Sequence, residues 1–249
     1  MDNGTVVVRD YDVCSPAIPA GFDGTRIAVL SDLHGNVRLY SRLLRAAEAA
    51  EADILVLTGD VSDAEDQWAS LEPLLRKLTE IAPCYYVSGN HEWADLQPEP
   101  FFRRLAETGV PVLRNEWVTL SRGGETLALV GLEDANGYAD MPTPQEVYAA
   151  LRRETQDYTV TLCHRPDRFP ELAATGYDLV LSGHNHGGLI RLPFVGGLFS
   201  PGGLFPAYDR GLFALGDKTL LVSPGLSGSG GCPRLFNRPE VSVAVLHRG

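Results

Sequence analysis

The chain has 249 residues, 44% hydrophobic and 21% charged, with a formal net charge of −11. That composition excludes a disordered polymer and provides for a sizeable buried core, expected as one domain over residues 1–249. The acidic balance repels polyanions, so nucleic acid is not an expected partner.

The four cysteines, Cys14, Cys84, Cys163 and Cys232, stand far apart and form no CxxC pair. A zinc knuckle or redox motif is thereby excluded, and Cys84 and Cys163 in apolar runs read as small buried thiols. The start, "MDNGTVVVRDYDV", lacks the basic and apolar segments of a secretory signal, and no run of about 18 apolar residues follows. A cytoplasmic chain that spans no membrane is expected.

Strand-length apolar runs then alternate with helical patterns. "TRIAVL" precedes a segment with Tyr40, Leu43, Leu44 and Ala47 at helical spacing, and "DILVLTG" follows. "AEDQWASLEPLLRKLTEIA" reads as a helix interrupted or restarted near Pro73, leading to "CYYVSG". "EPFFRRLAETG" reads as a helix closed by Gly109. The strand "VPVLRN" and a hairpin over "WVTLSRGGETLALVGL", turning at Gly123 and Gly124, come next. The helix "TPQEVYAALRRET", the strand "YTVTLC", the short helix "PDRFPELAAT" and the strand "DLVLSG" continue the alternation. "LFALGDKTLLVS" and "VSVAVLHR" read as antiparallel strands near the end. No internal repeat or low-complexity tract is present.

The residues just past the strands carry the chemistry. After "IAVLS" comes "DLHGN", after "ILVLTG" "DVSD", after "YYVSG" "NHE", after "VTLC" "HRP", and after "LVLSG" "HNHGG". In an open α/β sheet the carboxyl ends of the strands share one edge, where ligands bind, so these loops are expected to converge. Asp32, His34, Asp60, Asn90, His164, His184 and His186 form a mixed nitrogen and oxygen donor set suited to manganese, iron or zinc. They are too many for one tetrahedral ion and suit two ions sharing a carboxylate. In an extended "HNH" step His184 and His186 face the same side and Asn185 turns away. His247 is assigned no role.

The series "DLH", "GD", "GNH", a lone His and "GHxH" resembles the calcineurin-like metallophosphoesterase superfamily. The resemblance implies an α/β fold, a β-sandwich of two mixed sheets flanked by helices, with a dinuclear metal site. Carried over by position, it gives Asp32, His34 and His186 to one metal, Asn90, His164 and His184 to the other, and Asp60 to both. His91 takes the place of the family's histidine that is not a ligand, near the leaving group. "GHNHGGLIRLPFVGGLFSPGGLFPAYDRGLF" and "PRLFNRPE" resemble a bacterial branch described as phosphodiesterases or phosphohydrolases, often with an N-terminal anchor; no anchor is read in these residues, so either a cytoplasmic protein or one whose anchor has been removed is expected.

Two such ions imply direct attack on phosphorus by a hydroxide bridging them, with His91 protonating the departing oxygen. Asp63 is the expected partner of a histidine ring nitrogen. A phosphomonoesterase and a non-catalytic scaffold are the competing readings. The arginines of the protein-phosphatase motifs "GDYVDRG" and "RGNHE" are missing from "GDVSDAE" and "SGNHE". A scaffold would have lost ligands that this chain retains. The apolar segment Leu189 to Pro206 reads as a chain folded back over a sheet, or as a lip for an amphiphilic phosphate ester. In the second case Arg191 or Arg210 contacts phosphate, and peripheral membrane contact is expected.

Overall fold

Apolar, β-branched runs form the strands, and amphipathic segments of seven to fourteen residues form all but one of the α-helices. In chain order these are β1 (Val7–Cys14), β2 (Arg26–Leu30), α1 (Tyr40–Ala49), β3 (Ile54–Thr58), α2 (Trp68–Ile81), β4 (Cys84–Val87), the five-residue α3 (Asn90–Ala94), α4 (Pro98–Ala106), β5 (Glu116–Arg122) and β6 (Glu125–Leu132). The second half contains α5 (Pro144–Glu154), β7 (Thr159–Cys163), α6 (Phe169–Thr175), β8 (Leu179–Ser182), β9 (Ile190–Leu192), β10 (Gly196–Ser200), β11 (Gly203–Leu204), β12 (Gly211–Leu215), β13 (Lys218–Val222) and β14 (Glu240–His247). This computed structural model describes residues 5–192, 194–201, 203–228 and 234–249. Cys232, Pro193, Gly202 and Pro233, which fall in stretches quoted above, lie outside the described residues.

Two mixed sheets result, ordered β1-β14-β2-β3-β4 and β12-β13-β8-β7-β6-β5. Strands of the first alternate Ala28, Leu30, Leu55 and Leu57 toward α1 and α2 with Ile27, Val29, Ile54 and Val56 toward the second sheet. Leu129, Val160 and Leu181 meet the latter set from the other side. Val147, Leu151 and Leu172 of α5 and α6 cover Val130, Val180 and Val222 on the second sheet's outer face. The layers are therefore helix, sheet, sheet, helix, which is the expected fold class. Burial on both faces explains why the central strands read as continuous apolar runs.

Local chemistry fixes several boundaries. Thr143 Oγ1 accepts the Glu146 N–H at 3.3 Å while Glu146 Oε2 accepts the Thr143 N–H at 2.7 Å, a reciprocal cap that starts α5. At the β5–β6 turn Gly123 and Gly124 take φ of 61° and 82°, a left-handed pair that residues with a Cβ adopt only at a cost.

Some expectations are corrected. Helix α2 runs through Pro73, whose missing N–H forgoes only the bond to the carbonyl of exposed Ala69 in the first turn. "VPVLRN" supplies a single bridge from Val112 to Tyr86, because Pro111 has no N–H to extend a ladder. Strand β13 does pair antiparallel with β12, but β14 lies in the other sheet, between β1 and β2. The segment from Leu189 to Pro206 includes β9, β10 and β11, which form a small sheet of their own.

Candidate metal centre

The loops after β2, β3 and β4 leave one sheet and those after β7 and β8 leave the other. Convergence thus comes from two facing sheet edges rather than from one. At Asp32, His34, Asp60, His184 and His186 φ lies between 48° and 68°, a conformation that costs a non-glycine residue about 1–2 kcal/mol. Such strain persists where the surroundings over-determine the backbone. Here the His34 N–H donates to Asp60 O at 3.0 Å, the His184 N–H to Asp32 Oδ1 at 3.0 Å, and the His91 N–H to Asp60 Oδ1 at 2.9 Å. The loops pack so closely that a Cβ on Gly89 would stand 2.5 Å from the Asp60 nitrogen, so only glycine fits.

Outward hydrogen bonds orient three of the imidazoles. His164 Nδ1 lies 2.7 Å from Thr58 O, His186 Nδ1 3.0 Å from Ser227 O, and His34 Nδ1 2.6 Å from Asp63 Oδ1, the partnership expected of Asp63. Each contact holds a proton on Nδ1 and turns Nε2 inward. Around His164 Nε2 stand Asn90 Oδ1 at 3.2 Å, Asp60 Oδ2 at 3.2 Å and His184 Nδ1 at 3.1 Å. His34 Nε2 is buried without a hydrogen-bond partner.

Donor atoms of Asp32, His34 and His186 lie within 4.8 Å of one another, as do those of Asp60, His164 and His184. A third group, His34, Asp60 and His91, links the two. Asp32 and Asp60 are 0% and 1% exposed, and their ion-pair partners among the described residues are histidines. Burial opposes the charge on Asp60, but His164 and His34 outweigh it and hold this carboxyl well below the usual range. Burial also opposes the charge on His164, yet Asp60 beside it raises its pKa to about 10. Burial and the neighbouring His164 push His184 down to about 4. Converging ligand-type atoms, an orphaned imidazole nitrogen and buried carboxylates whose ion-pair partners among the described residues are imidazoles make a donor set that fits divalent cations.

A family model, "Calcineurin-like phosphoesterase", matches residues 25–188, the stretch that holds every one of these donors. The chain belongs to the calcineurin-like phosphoesterases. An uncharacterised metallophosphoesterase of Aquifex aeolicus is 34% identical over 96% of this chain and 91% of its own length. The phosphodiesterase YaeI of Escherichia coli is 29% identical over 89% of this chain and 82% of its own. A solved structure from Thermus thermophilus, TT1561, shares the fold with a TM-score of 0.53 at 16% identity, covering 81% of this chain and 89% of its own. The phosphoesterase has no helix, among the described residues, long and apolar enough to cross a membrane.

The two histidines of "HNH" reach different donor groups, but not by strand alternation. Left-handed turns at His184 and His186 direct them, and Asn185 turns away to donate to Tyr208 O at 2.7 Å. Arg191 is engaged elsewhere: its Nη1 lies 2.7 Å from Asp209 Oδ2 and donates to Gly187 O. Half-buried Arg210 donates its backbone N–H to Asp209 Oδ1 at 2.7 Å. The buried thiols Cys84 and Cys163 are pushed up to about 12 by burial.

Glu92 was not among the expected site residues, although it ends the "GNHE" stretch. Its carboxylate accepts the N–H groups of Gly89 at 2.7 Å, Asp60 at 3.0 Å, Val61 at 2.7 Å and Ser62 at 3.4 Å, tying the loop after β3 to the start of α3. A Glu three residues after the glycine that opens a helix is the legible signal. Burial and the Asp60 charge push its pKa up to about 7 against the Gly89 and Asp60 N–H groups and the His164 charge. Glu92→Ala is expected to cost about 3–5 kcal/mol of stability in denaturant unfolding, because it strands buried N–H groups. Glu92→Gln keeps an acceptor and should lose less. An unchanged unfolding midpoint in the alanine variant would contradict this role.

Proposed function

We propose that this phosphoesterase hydrolyses phosphodiester or pyrophosphate bonds, with Asp32, His34 and His186 holding one divalent ion and Asn90, His164 and His184 a second. Asp60 serves both. The observation that supports this reading most is the pair of Asp/His donor groups, linked through the group that Asp60 shares with His34 and His91. Two ions there supply an acidified water and positive charge for the phosphoryl oxygens.

The chain's own residues do the remaining work. Asp63 and the carbonyls of Thr58 and Ser227 hold the imidazoles in register. His91, with a side chain 29% exposed and Nδ1 2.7 Å from Asp95 Oδ2, is placed to pass a proton to the departing oxygen. The relative named a phosphodiesterase favours the diester over the monoester. Exposed Phe194, Val195, Leu204 and Phe205, on and beside β10 and β11, favour a substrate with an apolar part.

The test is a panel of an aryl phosphodiester, an aryl phosphomonoester and alkyl aryl diesters of increasing chain length, each below its aggregation limit. The diester should exceed the monoester in kcat/KM. The value should rise with chain length, toward about fourfold for each methylene buried, since each contributes roughly 0.8 kcal/mol. Preference for the monoester would replace this reading by a phosphomonoesterase, and a flat chain-length series would confine the substrate to small soluble diesters.

A further inference from the structure

Beside His184 a cleft of about 500 Å³ opens, a size that takes a small organic group. Pro170, Pro206, Ala207 and Tyr208 line it, and Arg165, Asp167 and His184 give it a polar end of mixed charge. Arg165 follows the candidate ligand His164 directly, and its guanidinium is already fixed. Nε lies 2.7 Å from Asp134 Oδ2, and Nη2 lies 3.2 Å from Asp134 Oδ1 and 3.3 Å from Asn136 Oδ1. Asp134 has a fully buried carboxylate, whereas the Arg165 side chain is 25% exposed. The remaining amino group, Nη1, makes no hydrogen bond to the described residues. A guanidinium held on one edge and unengaged on the other binds an anionic oxygen with little further loss of freedom.

We infer that Arg165 is a substrate-binding residue, and that the ester substituent retained on phosphorus lies in the cleft between His184 and Tyr208. This rests on the phosphodiester reading above. The polarity follows from the histidines. His91 groups with His34 and Asp60, while His184 groups with His164 and lines the cleft. A departing oxygen served by His91 therefore leaves from the His34 side, and the substituent that remains occupies the His184 side. Arg165 Nη1 meets a non-bridging phosphoryl oxygen between them. Arg191 Nη1 is held by Asp209, whereas Arg165 ion-pairs with Asp134 alone among the described residues, although Asp167 also lines the cleft.

The experiment uses the metal-loaded protein and two inert anions, diphenylphosphinate and dimethylphosphinate, with calorimetric dissociation constants as the readout beside kinetics. Exposed Ala207 on the cleft wall tolerates a larger side chain. Ala207→Trp should weaken diphenylphosphinate about tenfold or more and leave dimethylphosphinate unchanged. Arg165→Met should weaken both ligands and raise KM for the aryl diester about tenfold or more at unaltered metal content, with a much smaller change in kcat. Arg165→Lys should fall between, and it remains informative where the methionine variant fails to fold because Asp134 loses its partner. Equal shifts of both anions by Ala207→Trp, or none, overturn the cleft assignment. Wild-type binding constants retained in Arg165→Lys and Arg165→Met overturn the role of Arg165. If the wild type cleaves only monoesters, the diester reading itself has failed, a result these variants do not mimic.

Discussion

Asp60→Ala should reduce hydrolysis to near background and lower the metal content below two divalent ions per chain. The carboxylate is 1% exposed and has both oxygens engaged: Oδ1 accepts the His91 N–H at 2.9 Å, and Oδ2 lies 3.2 Å from His164 Nε2. Its donor atom falls in two of the three Asp/His groups, so its removal depletes both. Losing the positive charge opposite a phosphoryl transition state removes several kcal/mol of stabilisation, and about 4 kcal/mol is already roughly 10³-fold in rate. Asp60→Asn separates charge from shape, because it keeps an acceptor for the His91 N–H while removing the negative charge. It should retain the fold and still lose metal. Metal analysis of the purified variants, paired with the aryl diester assay, checks both statements. A metal-free preparation with full activity would end the dinuclear assignment.

Removal of the ions from the wild type acts on the same balance. Five donor residues sit at left-handed φ, and two buried carboxylates face imidazoles with no Lys or Arg ion pair among the described residues. Ions bound only by the folded chain stabilise it through mass action. Chelation should therefore lower the unfolding midpoint as well as the activity, and re-addition of metal should restore both.

Much of this was legible in the sequence because strands buried on both faces announce themselves as apolar runs, and the residues beyond them have few other uses. The Asp and His residues of "DLH", "GD" and "HNH" fall into groups with donor atoms within 4.8 Å, and Asn90 Oδ1 of "GNH" lies 3.2 Å from His164 Nε2. The two-sheet origin of the loops was not legible. Periodicity reveals a strand but not its neighbour, and β14 meets β1 and β2 across more than 200 residues of sequence. Strand β1 itself was missed because it is an edge strand whose residues are mostly exposed or half-exposed, which blurs the alternation. Arg165 and Glu92 were hidden for a different reason. Each is an ordinary charged residue beside a conspicuous histidine, and only the Asp134 fork and the four N–H groups around the Glu92 carboxylate distinguish them.

His91→Ala should keep the metals and lose roughly 10²- to 10⁴-fold in rate on diesters with a poor alkoxide leaving group. The ring stands at the first turn of α3, next to Asn90, with its Nδ1 2.7 Å from Asp95 Oδ2 and 3.2 Å from Asp63 Oδ1. Those carboxylates flank Nδ1 and bound the ring's position, and side-chain exposure of 29% leaves it access to substrate. An aryl oxide departs with little protonation, so aryl diesters should suffer far less than alkyl ones. That contrast is the diagnostic reading, because a structural defect would slow both alike. The competing role is ligation, since a His91 nitrogen lies within 4.8 Å of donors on His34 and Asp60. Under that role His91→Ala would lose an ion, and alkyl and aryl substrates would fall together. Asp95→Asn extends the argument by removing the charge that orients the ring without touching a metal donor. It should reproduce a smaller part of the alkyl-specific loss at full metal occupancy, whereas an equal loss on both substrates would return His91 to a structural role.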